Sequence, residues 1–314
     1  MKTFQLGNTG EQVSALCLGA MYYGSSVAPE QAYQLLDQYV NYGGTFIDTA
    51  NIYSHWVDGF RGGESETLLG QWMKERKNRD HLFIASKVGF GYGTVPTGLS
   101  ARLIVAECEK SLSRMGIETI DLYYAHVDDR TTPIGETMEA FNRLVAAGKV
   151  RYLGASNFRA WRLEQAKGFC QIEGIAEYCC IQQRYTYLQP RAGTNFGPQL
   201  AANDDLLDYC RKRNLTLLAY SPLLSGAYTR PERPLAPQYQ NEDNQQRLAT
   251  LRAIASAHHA SPNQVVLAWM LQSDPLVLPV FSASTPEQMK EDLGTLDLQL
   301  SPEEMAQLNE AGTK

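Results

Sequence analysis

Four side chains that can manage a proton stand at, or just after, short apolar runs. Asp48 ends TFID, Tyr53 follows five residues later, Lys87 follows LFIAS and His126 follows DLYYA. A tyrosine phenol is a weak acid with an ordinary pKa of ~10. An ammonium beside it favours the phenolate and lowers that value. Lys87 is the candidate ammonium, Asp48 the carboxylate that would hold it in place and charged, and His126 a hydrogen-bonding group for a substrate oxygen. Taken singly, Asp48 and Lys87 are equally a structural ion pair, His126 a core histidine and Tyr53 a loop packing residue. Together they make a proton donor and acceptor aimed at a carbonyl or alcohol oxygen.

No nucleophile elbow, phosphate loop or H-E-x-x-H motif accompanies these residues. A proton donor without a nucleophile or metal ligands points to chemistry carried by an organic cofactor. The ends of other apolar runs offer places for one. Tyr220 presents a flat aromatic face, and Ser156, Asn157 and Gln182 are hydrogen-bonding groups for a carboxamide. The segment Phe281-Ser-Ala-Ser-Thr-Pro286 leads into a helix start, where free N–H groups and the helix dipole favour phosphate.

The elements that must position these groups alternate in type. Eight short β-rich runs span 15–19, 45–48, 82–86, 121–125, 150–156, 179–182, 215–220 and 275–280. Helical patterns span 29–42, 64–77, 101–115, 133–147, 160–169, 203–213, 245–259 and 286–293. Ser261-Pro-Asn-Gln264, Thr285-Pro-Glu-Gln288 and Ser301-Pro-Glu-Glu304 each read as a helix start with a capping box and proline at the first position. Eight apolar strands, each followed by a helix, predict a (β/α)8 TIM barrel in an α/β chain, with 1–314 as one domain. An open doubly wound sheet would want G-x-G-x-x-G after the first strand; Gly89-x-Gly91-x-Gly93 follows the third and lacks the final glycine spacing. Residues 4–6 and 12–13 flank Gly7-Asn-Thr-Gly10 and predict an N-terminal β-hairpin that plugs the barrel floor. The connections 53–63, 187–199 and 225–244 are longer than packing needs, which suits function or a lid.

Composition removes other classes. Of 314 residues, 44% are hydrophobic and 20% charged, enough to bury a large core. The net charge of −6 argues against nucleic acid or an anionic membrane as the main partner. No apolar run approaches the ~18 residues of a membrane span. MKTFQLGNTGEQVS has no apolar signal-peptide core, and the six cysteines include no C-x-x-C pair, so a cytoplasmic protein with reduced thiols is expected. His258 and His259 are the one adjacent histidine pair and read as a solvated helix face; no metal is expected.

At these residues the chain resembles the aldo-keto reductase family over essentially its whole length. FQLGNTGEQVSALCLGAMYYG, FIDTANIY, ASKVG, YYAHVDD, GKVRYLGASNF and AYSPLLSG carry the resemblance in order. The GKVRYLGASNF form is similar to bacterial members related to potassium-channel β subunits. The resemblance implies hydride transfer between NAD(P)H and an aldehyde or ketone, or the reverse from the alcohol, without metal. It makes Tyr53 the general acid/base, tuned by Lys87 and Asp48, with His126 orienting the carbonyl. It places Ser156, Asn157 and Gln182 on the nicotinamide amide, Tyr220 on its ring, and Ala20, Met21 and Asp48 beside it. Ser221, Leu223 and Ser225 would line the pyrophosphate. Ser282, Ser284, Gln288, Glu291 and Asp292 would line the adenosine end.

Tyr22, Tyr23, His55, Trp56, Phe90 and Val127 are expected around the reacting carbon. Trp56 and Phe90 suit an apolar wall, while His55, Asp58 and Arg61 suit hydroxyls. A sugar and a small aromatic or aliphatic carbonyl both fit as the small-molecule partner. NADPH-preferring members place Arg or Lys around Ser284 and Gln288, and a frequent Asn where Asp292 stands. Both positions are neutral here, so the expectation is weak discrimination between NADPH and NADH or a tilt toward NADH. The alternative function is a regulatory subunit that keeps the cofactor fold without catalysis, as channel β subunits do; the intact catalytic set favours the enzyme. A metal-dependent barrel hydrolase ranks third, for want of clustered His and carboxylate ligands.

Overall fold

Residues 1–312 are described in a computed structural model. Strand β1 (Thr3–Gln5) pairs antiparallel with β2 (Gln12–Ser14), Phe4 opposite Val13. Eight strands then form a closed parallel barrel: β3 (Cys17–Gly19), β4 (Phe46–Asp48), β5 (Phe83–Val88), β6 (Ile120–Ala125), β7 (Val150–Ser156), β8 (Tyr178–Arg184), β9 (Thr216–Tyr220) and β10 (Val277–Phe281). Strand β10 closes on β3 through Phe281 and Leu18. The expected (β/α)8 barrel with its N-terminal hairpin is therefore the fold observed.

Helices α1 (Pro29–Asn41), α2 (Glu64–Arg76), α3 (Ala101–Met115), α4 (Ile134–Ala146), α5 (Ala160–Glu173) and α6 (Asp204–Arg213) follow the first six barrel strands in turn. The β9–β10 connection holds two helices, α7 (Glu242–Ala257) and α8 (Pro262–Leu271). After β10 come α9 (Pro286–Leu293) and α10 (Pro302–Glu310). Ser261 and Ser301 make complete capping boxes at α8 and α10, which is why these helices begin where the sequence marks them. Thr285 caps α9 only one way, because Gln288 turns its Oε1 to the Ser284 N–H instead. His258 and His259 are not on a helix face but end α7, where His258 Nε2 meets Glu304 Oε1 at 2.7 Å.

The barrel interior is filled from below. Leu6 and Val13 of the hairpin pack with Phe46, Phe83, Leu122, Tyr124, Leu218 and Leu278. Gly7 makes that closure possible: at φ +51° a Cβ there would stand 2.2 Å from the Cys179 carbonyl oxygen. The floor is sealed by apolar packing, so polar groups are left to the other end, where strands run into βα loops. Five of the six cysteines are buried. Among the described residues no helix is long and apolar enough to cross a membrane.

Candidate active site

Side chains alternate along a strand, so residues two apart share a face. Asp48, the last residue of β4, is in register with Ala85 of β5. Lys87 therefore lies one pleat above on the same inward face. Its Nζ pairs with Asp48 Oδ1 and donates to the Thr49 carbonyl at 2.8 Å. It also donates to Tyr53 Oη at 2.7 Å. Gln182, in register with Ser156, donates from Nε2 to Asp48 Oδ2 at 2.8 Å. Lys87 is wholly buried beneath this layer, and Tyr53 and His126 stand above it with ring centroids 6.1 Å apart.

Burial changes the electrostatics expected from sequence. The Tyr53 phenol is pushed well above 10, first by burial and then by the Asp48 charge. The net shift is upward where the sequence led us to expect a lowered phenol, because burial and the Asp48 charge set its direction. Tyr53 is thus a neutral phenol, ready to give a proton. Burial draws the Lys87 ammonium below its ordinary value, against the pull of Asp48. Burial and the Lys87 charge hold the His126 imidazole well below 6.5, so it is a neutral hydrogen-bonding group. Its Nδ1 is buried without a partner.

These groups floor a cleft of about 810 Å³ at the C-terminal mouth, within the ~300–1,000 Å³ usual for small-molecule sites. Met21, Tyr22, Trp56 and Phe90 line one end with Tyr53 and His126. Ser156, Asn157, Gln182 and Tyr220 line the middle. Ser221, Leu223, Ser225, Ser282, Ser284, Gln288, Glu291 and Asp292 continue along the far wall. Ala20 and Val127 are buried outside the cleft, with Gly19 lining it in Ala20's place. Tyr23 is wholly buried, its hydroxyl bonded to the Ala283 carbonyl at 3.2 Å. His55 is exposed and meets the Trp56 ring edge-on at 5.4 Å, and Asp58 and Arg61 are exposed as well.

Two expected contacts are already occupied. Asn157 donates to the His126 carbonyl at 2.9 Å and accepts from Leu200 N and Tyr220 Oη. It holds the mouth together as much as it offers an amide to a ligand. Glu291 accepts from Ser261 Oγ and Asn263 Nδ2, tying α9 to α8. Asp292 is buried in the cleft wall, and burial with the adjacent Glu291 charge keeps its carboxyl well above the usual range, against the pull of Arg230.

Among the cleft residues outside the sequence expectation are Arg184, Gln199, Arg230 and Arg233. Arg184 was legible by strand period, two residues beyond Gln182. The others ride on the connections 187–199 and 225–244, whose length is a signal but whose course is not.

Backbone strain marks the same region. Ser54, Asn157, Ser221, Leu224 and Ser225 all have φ between +49° and +80°. Non-glycine residues in that region cost energy and gather at functional sites.

The Aldo/keto reductase family model matches residues 15–313. The chain belongs to the aldo/keto reductase family. An aryl-alcohol dehydrogenase, GME11368 of Pestalotiopsis microspora, is 28% identical over 95% of this chain and 78% of its own. Aldo-keto reductase yakc [NADP(+)] of Schizosaccharomyces pombe is 30% identical over 98% of this chain and 91% of its own. The crystal structure of the thermostable aldo-keto reductase Tm1743 with the inhibitor epalrestat superposes with a TM-score of 0.79 at 30% identity, covering 99% and 100% of the two chains. This aldo-keto reductase is an oxidoreductase, and its family chemistry is carbonyl reduction with a nicotinamide cofactor. The donor set fits such a cofactor: one long cleft runs from a buried proton donor, past an aromatic face, to serine hydroxyls and two arginines.

Proposed function

We propose that this enzyme reduces aromatic aldehydes and ketones with NADPH. The observation that carries the substrate class is the aromatic wall over the proton donor. Trp56 meets the rings of Tyr53 and Tyr22 edge-on at 6.1 and 6.5 Å, and Phe90 meets His126 at 4.7 Å. Trp56 is 45% exposed, an indole held at the rim of a cleft where a flat substrate would cover it. The groups that suited a sugar, His55, Asp58 and Arg61, are exposed and do not line the cleft. The related aryl-alcohol dehydrogenase bears a name of the same substrate class.

When bound, the dihydronicotinamide supplies the hydride. Tyr220 would carry the nicotinamide ring, with Ser156, Asn157 and Gln182 on its amide. Tyr53 Oη donates its proton to the substrate carbonyl oxygen as charge builds there. Neutral His126 donates a hydrogen bond to the same oxygen and fixes its angle. Lys87, 2.7 Å from Tyr53 Oη, stabilises the phenolate as the proton leaves, and Asp48 keeps Lys87 aimed. Trp56 and Phe90 exclude water, which strengthens each of these interactions.

NADPH replaces the expectation of weak discrimination or a tilt toward NADH because of Arg230 and Arg233. Both line the cleft with Gln288 and Ser284, supplying positive charge there, whereas Lys290 of α9 is not among the lining residues. An arginine fork suits the 2′-phosphate. A charge-assisted hydrogen bond is worth ~1.5–3 kcal/mol. Removing one arginine should therefore cost ~10–100-fold in the kcat/KM ratio for NADPH over NADH. The test is that ratio for 4-nitrobenzaldehyde in wild type, Arg230→Ala and Arg233→Ala. A wild type that prefers NADH, or variants that leave the ratio unmoved, would overturn the cofactor assignment. Faster turnover of aldoses than of benzaldehydes would overturn the substrate class.

A further inference from the structure

Arg184 ends β8 and lines the cleft. It shares a strand face with Gln182, whose amide reaches Asp48. Two residues along a strand rise about 7 Å, so Arg184 stands above the catalytic layer by roughly the span of a benzene ring. Its guanidinium is held beside two rings, 4.8 Å from the Phe196 centroid and 5.4 Å from that of Tyr220. Nη2 donates to Gln199 Oε1, while Nε is buried with no partner.

No carboxylate among the described residues forms an ion pair with Arg184. Arg114 and Arg162, also inside the molecule, are paired with Glu66 and Asp128. Arg247, buried and likewise without a carboxylate, donates to the Tyr187 carbonyl and is not among the residues lining this cleft. Arg184 is half-buried, and its buried, unused Nε donor is costly until an acceptor meets it. Its planar fork favours a carboxylate, bound through two parallel hydrogen bonds.

We propose that Arg184 is an anion subsite of the carbonyl pocket, and that the preferred substrates carry a carboxylate about one aromatic ring away from the aldehyde or ketone. The inference rests on the carbonyl-reductase reading above. Cofactor phosphate is the other source of such an anion. It has Arg230 and Arg233 on the far wall of the cleft, whereas Arg184 is joined to the catalytic end. Tyr220, under its guanidinium, bonds to Asn157, which bonds to the His126 carbonyl.

The experiment compares 4-carboxybenzaldehyde with its methyl ester, which keeps the shape and removes the charge. With saturating NADPH, wild type should favour the acid. The acid-to-ester ratio of kcat/KM should fall at least ~10-fold in Arg184→Gln and partly recover in Arg184→Lys, as expected for one charge-assisted contact. Calorimetric titration of the NADP+ complex with 4-methylbenzoate reads the same subsite without turnover and should show the same weakening in Arg184→Gln. An unchanged ratio together with unchanged 4-methylbenzoate affinity would overturn the proposal. So would a loss confined to NADPH affinity, which would assign Arg184 to the cofactor. If neither aldehyde is reduced while 4-methylbenzoate binding depends on Arg184, the subsite stands and the carbonyl-reductase reading fails.

Discussion

Tyr53 is competent because it is neutral and buried beside an ammonium, and each part can be removed separately. Tyr53→Phe keeps the ring and deletes the acid. Turnover in the reduction direction should fall by ~10²–10⁴-fold, the usual worth of general acid catalysis, while NADPH affinity measured by fluorescence quenching changes far less. Lys87→Met leaves Asp48 as the nearest charge. The phenol, already raised by burial and Asp48, should rise further. Alcohol oxidation needs the phenolate, so its pH–rate profile should move to higher pH and its maximum should drop; an unmoved profile would make Lys87 a structural partner of Asp48 alone. Asp292 runs the other way in stability. Its folded pKa is raised, so the native state resists losing a proton that the unfolded chain releases near pH 4. Stability is lost as pH rises through that window and beyond, until the folded group also ionises. Asp292→Asn should therefore raise the Tm of the cofactor-free enzyme at pH 7 and leave it nearly unchanged at pH 4.

At the scale of elements, the catalytic groups depend on how the βα loops are tied. Glu107 of α3 is almost wholly buried and accepts from Asn51 Nδ2 at 2.8 Å and Tyr92 Oη at 2.7 Å. Burial opposes its ionisation, but hydrogen bonds from Lys110, Tyr92 and Asn51 win and hold the carboxyl below its ordinary value. One side chain thus ties the loop of Tyr53 to the loop of Phe90. Glu107→Ala takes the acceptor from three donors; Lys110 is exposed and turns to water, while Asn51 and Tyr92 are stranded at ~1–3 kcal/mol each. Thermal unfolding should show a clear loss of Tm, and kcat should fall although Glu107 touches no substrate. That Tm difference should shrink as the pH drops below ~4.5, where the wild-type carboxyl loses its advantage. Helices that begin at full capping boxes started where the sequence marks them. Residues around Gln288 did not follow the pattern, since its side chain satisfies Ser284 instead of the cap. Local sequence offers two equivalent N–H groups there, and tertiary placement chooses between them. The tie from Gln31 of α1 to the Ser284 carbonyl at 2.6 Å belongs to that placement.

For the whole molecule, stability and chemistry occupy opposite ends of the barrel. The hairpin seals the floor with Leu6 and Val13, far from Tyr53. Leu6→Ala should cost ~2–5 kcal/mol, as for buried leucines elsewhere. The loss would be seen as a lower Tm, with the KM for aldehyde and the pH profile unmoved. A change in pH profile would mean that the floor packing sets the height of the catalytic layer.

Eight apolar runs of regular spacing determined the barrel by themselves, because a parallel strand buried on both faces needs apolar residues throughout and a covering helix after each. The same regularity put Asp48, Lys87, His126, Ser156, Gln182 and Tyr220 at one end, since strand ends in a parallel barrel all face the same way. The motif order made the family legible as well. Tertiary structure decided what depends on burial and on the path of long loops. The direction of the Tyr53 shift follows from dehydration, which no spacing reveals. Tyr23 and His55 neighbour true cleft residues in sequence yet turn into the core and out to solvent. Arg230 and Arg233 come from the same long connection, whose residues carry no periodic pattern, and only its folded course sets them on one wall with Gln288.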